Sequence, residues 1–147
     1  MVRRTIPLTA VLEAAHKFGG REYCEAIRFL VDWSEGNSLL HNRPHGGVQT
    51  VWKYELSSRA GNPLFWAVYP HQKKIDLHFM RLSPFDTALE RDALRVRLKS
   101  MPGLKQGALP SETPTVLRLS ALDTQETRVA FLDVLTWALD RVLAERN

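Results

Sequence analysis

Imidazole groups are the first side chains in this sequence whose type and spacing could support chemistry. His41 and His45 are four positions apart, and His78 follows Asp76 by two. Imidazole is the commonest metal ligand and exchanges protons near neutral pH, so His41, His45 and His78 are candidate metal ligands. The His-x-x-x-His spacing brings two imidazoles to one metal only on a helix, and Pro44 argues against a helix there. We therefore predict exposed loop histidines, and no metal or other cofactor.

The pair Asp76 and His78 is the second candidate, because both side chains fall on the outward side of a predicted strand. Gln49, Lys53 and Glu55 of the first predicted strand are expected across the sheet from them. A carboxylate beside an imidazole can orient the ring and raise its basicity, as acid–base catalysis requires. No Ser or Thr stands in a recognisable nucleophile motif, so no residue is predicted to be catalytic. A small metal-dependent or acid–base enzyme that uses Asp76, His78 and the loop histidines is one alternative function.

Cationic and aromatic side chains are interleaved along the predicted sheet. The candidate nucleic-acid-binding residues among them are Arg43, Lys53, Trp66, Lys73, Lys74 and Arg81. Aromatic rings can stack on bases while cations neutralise phosphates, although aromatic residues at alternate strand positions more often belong to a core. The leading hypothesis is a binding module without catalysis that engages an anionic partner, with DNA or RNA as the candidate, through an exposed sheet face.

The composition is that of an ordinary globular protein with a mild basic excess. Twenty Lys and Arg stand against 16 Asp and Glu, which leaves a formal charge of +4 and favours acidic or phosphate-bearing partners. A single cysteine, Cys24, excludes an internal disulfide and a zinc site built from cysteines. No apolar run approaches the roughly 20 residues of a membrane-spanning helix. The first residues do not resemble a secretory signal, so we expect a cytoplasmic protein without a membrane partner.

Hydrophobic periodicity predicts an α+β fold. The chain has no internal repeat or long linker, so residues 1–147 are predicted to form one domain. Its predicted parts are a helical region and loop over 1–47, a sheet with one inserted helix over 48–122, and a C-terminal helix over 123–147. The predicted N-terminal helices cover 7–18, ending at Gly19-Gly20, and 23–33, ending before Gly36. Residues 35–47 are predicted to be a loop.

The predicted sheet is an antiparallel β-meander of three to four strands. These strands cover residues 48–56, 64–69, 75–81 and, less regularly, 116–119. Ser83 is predicted to cap a helix that runs to about residue 101, and residues 105–114 are predicted to form a surface loop. Asp123 and Glu126 form a predicted capping box for a long C-terminal helix that covers the sheet.

Residues 48–104 resemble a known small α+β architecture over a little over a third of the chain. The stretches that carry the resemblance are Val51-Trp52-Lys53-Tyr54, Pro63-Leu64-Phe65-Trp66-Ala67-Val68-Tyr69, Ile75-Asp76-Leu77-His78-Phe79-Met80-Arg81 and Met101-Pro102-Gly103-Leu104. Their order is similar to that of the YjbR-like double-wing domains, which are related in architecture to the frataxin/CyaY sheet. The resemblance implies a non-enzymatic binding domain associated with DNA, and it transfers no catalytic residue.

A third function class is a protein-interaction subunit. Trp137 and Leu143 add apolar surface to the predicted C-terminal helix beyond one core-facing stripe. Such a surface could be covered by a second copy of the chain or by another protein, so a homodimer or a protein partner is the alternative here.

Overall fold

The structure is a computed structural model that describes residues 6–44, 49–104 and 116–146. Within these ranges the chain forms three α-helices and one five-stranded sheet. The helices are α1 (Leu8–Glu35), α2 (Ala88–Lys99) and α3 (Gln125–Arg146). The strands are β1 (Leu40–Arg43), β2 (Trp52–Leu56), β3 (Leu64–Tyr69), β4 (Lys74–Asp76) and β5 (Val116–Arg118). The predicted α+β class is confirmed.

The sheet is a meander in which the strand order follows the chain order and each strand is antiparallel to the next. It has one strand more than predicted, because β1 forms within the expected loop over 35–47. Leu40 of β1 is buried and pairs with Leu56, whereas His41 is exposed and pairs with Glu55. A strand of only four residues followed by Pro44 leaves too short an alternating pattern to recognise from the sequence.

The predicted strand over residues 75–81 is wrong in its second half. β4 ends at Asp76, and residues His78–Arg81 form a short 3-10 helix. Phe79 and Met80 are consecutive and both fully buried, and the 3-10 turn directs both side chains into the core. The Phe79 ring stacks on Phe65 with 4.9 Å between ring centroids, and this contact turns the chain out of the strand direction.

The Gly19-Gly20 pair interrupts α1 as predicted, but the chain resumes helical geometry at once. Gly20 has φ 74° and ψ −160°, a region that is essentially restricted to glycine. A Cβ atom at Gly19 would lie 1.9 Å from the Tyr23 ring, so the ring packs directly on the glycine backbone. The two predicted helices are therefore the two arms of one kinked element.

Two predicted helix caps are wrong by a few residues. Thr87, and not Ser83, caps α2, because the Thr87 hydroxyl accepts the Glu90 backbone N–H and Thr87 itself is extended. At α3 the Thr124 hydroxyl accepts the Thr127 N–H, so Thr124 takes the place predicted for Asp123. In both cases the sequence offers several polar residues in a row, and only the backbone geometry selects one of them.

One side of the sheet is sealed by α1. The Trp66 indole N–H donates to the buried Ser34 hydroxyl at 2.8 Å, and the Tyr54 hydroxyl donates to the Glu35 carboxylate at 2.9 Å. α1 is thus the helix with the main packing on the strands, while α3 packs chiefly on α1 and α2. The predicted packing of the sheet with the C-terminal helix is also present, because stacked rings lead from Phe65 of β3 through Phe79 and Phe85 to Trp137 of α3. The side opposite α1 is thus covered at Phe65, and it carries polar strand residues elsewhere.

Candidate functional site

We call the side of the sheet that faces away from α1 the outer face. Strand alternation places its residues, since Tyr54 and Trp66 face α1 and their neighbours along the strands point the other way. The outer-face residues of the strands include Arg43, Lys53, Glu55, Phe65, Ala67, Tyr69, Lys74, Asp76 and Arg118. Phe65 and Ala67 are fully buried, so the face is covered along this part of β3. Cross-strand pairing sets Lys53 and Asp76 on either side of the small residue Ala67.

Arg43 is the best-anchored cation of the outer face. Its Nε donates to Glu55 Oε2 at 2.7 Å, and its Nη2 donates to the Asn62 carbonyl oxygen at 2.6 Å. These bonds connect β1 to β2 and to the β2–β3 hairpin. They hold the guanidinium in place, and Nη1 has no hydrogen bond to any residue in the described ranges.

His78 lies at the end of the outer face between Arg81 and Asp76. Its Nδ1 is 2.7 Å from Arg81 Nη1, and its Nε2 is 3.7 Å from Asp76 Oδ2. Because a guanidinium can only donate, Nδ1 is the acceptor and the neutral ring carries its proton on Nε2. Nε2 and Asp76 Oδ1 are both buried without a hydrogen-bond partner among the described residues.

The electrostatic surroundings of His78 keep its ring neutral. Burial lowers the pKa of the imidazole, Asp76 raises it, and the nearby cations of Arg81, Lys53 and Arg43 lower it again. Burial is the largest of these effects, so the net pKa lies below the usual value of 6.5. The ring is thus uncharged near neutral pH, although it is within the electrostatic reach of three cations.

Three cations of the outer face have no carboxylate partner within the described ranges. Neither Lys53, Lys74 nor Arg81 forms an ion pair with a described residue. Lys74 lies over the Tyr69 ring with its ammonium 5.2 Å from the centroid. An unpaired cation attracts an anion more strongly than one already neutralised by a carboxylate. The outer face therefore presents positive charge that its own acidic residues do not neutralise.

A pocket of about 270 Å³ opens where β1, the start of β3 and the 3-10 helix His78–Arg81 meet. Its lining residues are Arg43, Pro63, Leu64, His78, Arg81 and Leu82. The polar groups of this pocket are two guanidinium groups and one imidazole, and its other walls are apolar. We call it the Arg43–Arg81 pocket.

The structure places four of the six predicted nucleic-acid-binding residues on or beside the outer face and buries one. Arg43, Lys53, Lys74 and Arg81 lie on or beside the outer face, and Lys73 is exposed in the turn before β4, with φ 57°. Trp66 is wrong as a base-stacking residue, because its side chain faces α1 and is only 1% exposed. Aromatic residues at every second position of a strand usually belong to the core, and Trp66 follows that rule.

The candidate metal ligands are not brought together. His41 is exposed on β1, His78 is in the 3-10 helix, and His45 lies outside the described residues. Within the described ranges, no three His, Cys, Asp or Glu side chains are grouped closely enough to hold a metal ion.

The contact between Asp76 and His78 is also poorly arranged for acid–base work. The prediction that both residues stand on one strand is wrong, and the 3.7 Å separation of Oδ2 and Nε2 exceeds hydrogen-bonding distance. Arg81 occupies the other ring nitrogen, and its positive charge makes the ring less basic. A general base needs the opposite influence on its pKa when it works near neutral pH.

The apolar residues suggested for a protein interface are partly covered. The Trp137 ring packs against Phe85 and carries the Arg97 guanidinium 4.1 Å from its centroid, and Leu143 packs against the core. The large apolar side chains that are exposed instead include Leu89, Val96 and Val129. Isolated apolar residues on a surface are common and indicate no particular partner.

The sequence did not single out the apolar walls of the Arg43–Arg81 pocket, which are Pro63, Leu64 and Leu82. Leu64 is predicted to be the first residue of a central strand, and Leu82 follows the end of the strand predicted over 75–81. No sequence signal connects them, because their proximity depends on the turn at residues 78–81. The position of Tyr69 beside Lys74 was also not predictable from the sequence, because it depends on the β3–β4 register.

Comparison with known proteins does not identify the chain. No protein-family model matches it, no curated protein shows significant sequence similarity to it, and no solved structure gives a significant match. The resemblance to YjbR-like double-wing domains therefore stays a prediction. In the described part of the chain, none of the helices combines the length and the apolar character needed to cross a bilayer.

Proposed function

We propose that this protein is a non-enzymatic binding module that holds a nucleic acid strand against the outer face of its sheet through the phosphate groups. The observation that carries the proposal is the set of three cations without a carboxylate partner in the described ranges, Lys53, Lys74 and Arg81, on the side of the sheet opposite α1. Cations at a sheet surface supply the electrostatic part of nucleic-acid binding.

The same surface supports little sequence readout. Trp66 faces α1, and Phe65, which strand alternation places on the outer face, is fully buried under Phe79. Tyr69 is the half-buried aromatic side chain of the outer face among the described strands, and Lys74 already lies over its ring. Base stacking normally requires free aromatic faces. We therefore expect phosphate contacts to dominate and the affinity to be similar for different sequences. A nucleic-acid partner also agrees with the cytoplasmic location predicted from the sequence.

Fluorescence anisotropy with labelled single-stranded and duplex oligonucleotides tests the proposal. The wild-type protein should bind at low salt, and log K should fall linearly with log salt because cations are released from the phosphates. Lys53→Gln and Lys74→Gln should each make that slope shallower by about 0.7 on a single strand, the value for one lost phosphate contact. The loss of affinity should be the same for oligonucleotides of different sequence.

Lys17→Gln is the matched control, because it removes one positive charge from an exposed position of α1, outside the outer face. It should leave the salt slope unchanged. The proposal fails if no oligonucleotide binds at low salt, or if Lys17→Gln changes the slope as much as Lys53→Gln does.

A further inference from the structure

We infer that the Arg43–Arg81 pocket is a receptor for a phosphate monoester carried on a nucleoside, as at the end of a strand or in a free mononucleotide. The inference deepens the proposed function, since the pocket opens on the same outer face. Its volume of about 270 Å³ is at or below the lower end of the range for small-molecule pockets, about 300 Å³. It therefore has room for one end group. The rest of the nucleic acid would lie across the outer face of the β-sheet.

The donors of the pocket match a monoester better than a diester. Arg43 keeps Nη1 free of its bonds to Glu55 and Asn62, and Arg81 uses only Nη1 towards His78. A phosphate monoester presents three acceptor oxygens and a charge of about −1.5 to −2 near neutral pH. Glu55 already offsets the charge of Arg43, so the match rests on donors: the free N–H groups of Arg43 and Arg81 can serve the three terminal oxygens of a monoester, whereas a diester within a strand has only two.

The apolar walls explain why the phosphate should be attached to a carbon skeleton. Pro63, Leu64 and Leu82 line the pocket beside the charged groups. Inorganic phosphate would leave these walls in contact with water, whereas a sugar or base can cover them. Covering the walls also excludes water from the ion pairs and so strengthens them. A nucleoside monophosphate should therefore bind more tightly than inorganic phosphate.

His78 gives the pocket a response that a fixed cation would lack. The charged groups that act on its ring are Asp76, Arg81, Lys53 and Arg43, and the three cations disfavour a further positive charge. A bound phosphate offsets those cations, so Nδ1 can take a proton from solvent. This protonation breaks the hydrogen bond between Arg81 Nη1 and Nδ1 and releases Arg81 to donate to the phosphate.

The experiment compares oligonucleotides of one sequence that end in a phosphate or in a hydroxyl group, at the 5′ and at the 3′ end separately. Phosphate at one end should improve the affinity by about tenfold or more, as one additional charge-assisted contact does. A nucleoside monophosphate should compete for the site more strongly than inorganic phosphate does. In Arg81→Gln the advantage of the phosphate end should disappear.

Lys74→Gln is the control, because Lys74 lies on the outer face but does not line the pocket. It should weaken both oligonucleotides equally and leave their affinity ratio unchanged. Thermal unfolding of each variant shows whether the fold is retained. His78→Gln is a second pocket variant: the Gln oxygen can still accept from Arg81 but cannot take up a proton to release it, so the affinity ratio should fall. The NMR signal of the His78 ring gives an independent readout, since the pKa of the imidazole should rise when the mononucleotide binds.

The outcomes separate this inference from the proposed function. If oligonucleotides bind equally with either end and the mononucleotide does not bind, the pocket is not a phosphate receptor and the proposed function stands. If only the mononucleotide binds, the inference holds and the proposed function fails. If none of these ligands binds, both the inference and the proposed function are wrong. If the pKa of His78 stays unchanged with saturating mononucleotide, the role given to its ring is wrong.

Discussion

His78 is the residue of the outer face whose ring is acted on by burial, by a carboxylate and by three cations at once. Burial of the imidazole and the cations of Arg81, Lys53 and Arg43 lower its pKa, and Asp76 opposes them from 3.7 Å. In the unfolded chain these influences are absent, so the ring returns to its usual pKa of 6.5. The folded protein thus contains a neutral histidine, and the free energy needed to keep its ring unprotonated increases as the pH falls.

At the residue scale we predict that His78 makes the fold sensitive to mild acid. Below about pH 6.5 the unfolded state binds a proton that the folded state does not yet bind, so the free energy of unfolding decreases as the pH falls. Urea unfolding at about pH 7.5 and about pH 5.5 measures this loss, and His78→Gln should lose less stability than the wild type.

His16→Gln is the control for that measurement, because His16 is exposed on α1. This variant should keep the acid sensitivity of the wild type. An equal loss of stability in His78→Gln and in the wild type would contradict the account of His78.

At the scale of elements, the sequence predicted what hydrophobic periodicity controls. The central strand β3 and the helical character of α1 and α3 follow from long regular patterns. The missed features depend on contacts between distant residues: β1 is a strand because it pairs with β2, and residues 78–81 leave the strand because Phe79 packs on Phe65. The same limit applied to the site, where the cations were predictable and the pocket walls were not.

The kink of α1 yields a prediction at this scale. Gly20→Ala should lower the free energy of unfolding by about 1–3 kcal/mol, the usual cost of a side chain in a glycine-only region of φ and ψ. The nearest atom to an added Cβ at Gly20 is 3.6 Å away, so the cost comes from the backbone and not from a clash. Chemical denaturation of the purified variant measures it.

Gly36→Ala serves as the comparison, because Gly36 ends α1 with an ordinary φ of −75°. We expect a change of less than about 1 kcal/mol in either direction, since the backbone there accepts any residue. Equal effects at Gly20 and Gly36 would show that the kink does not require glycine.

At the scale of the whole molecule, the two sides of the sheet have different tasks. The inner side is joined to α1 by buried aromatic rings and by the hydrogen bond from Trp66 to Ser34. The outer side carries cations without carboxylate partners in the described ranges, and it ends in the Arg43–Arg81 pocket. The modest charge of +4 is therefore better judged by its placement than by its size.

Chemical-shift mapping of the isotope-labelled protein with a single-stranded oligonucleotide at low salt tests the central claim most directly. We predict that the perturbed backbone amides fall in β1 to β4 and in residues 78–81, while the amides of α1 and α3 keep their positions. Perturbations confined to α1 and α3, or no perturbation at saturating oligonucleotide, would contradict the assignment of binding to the outer face.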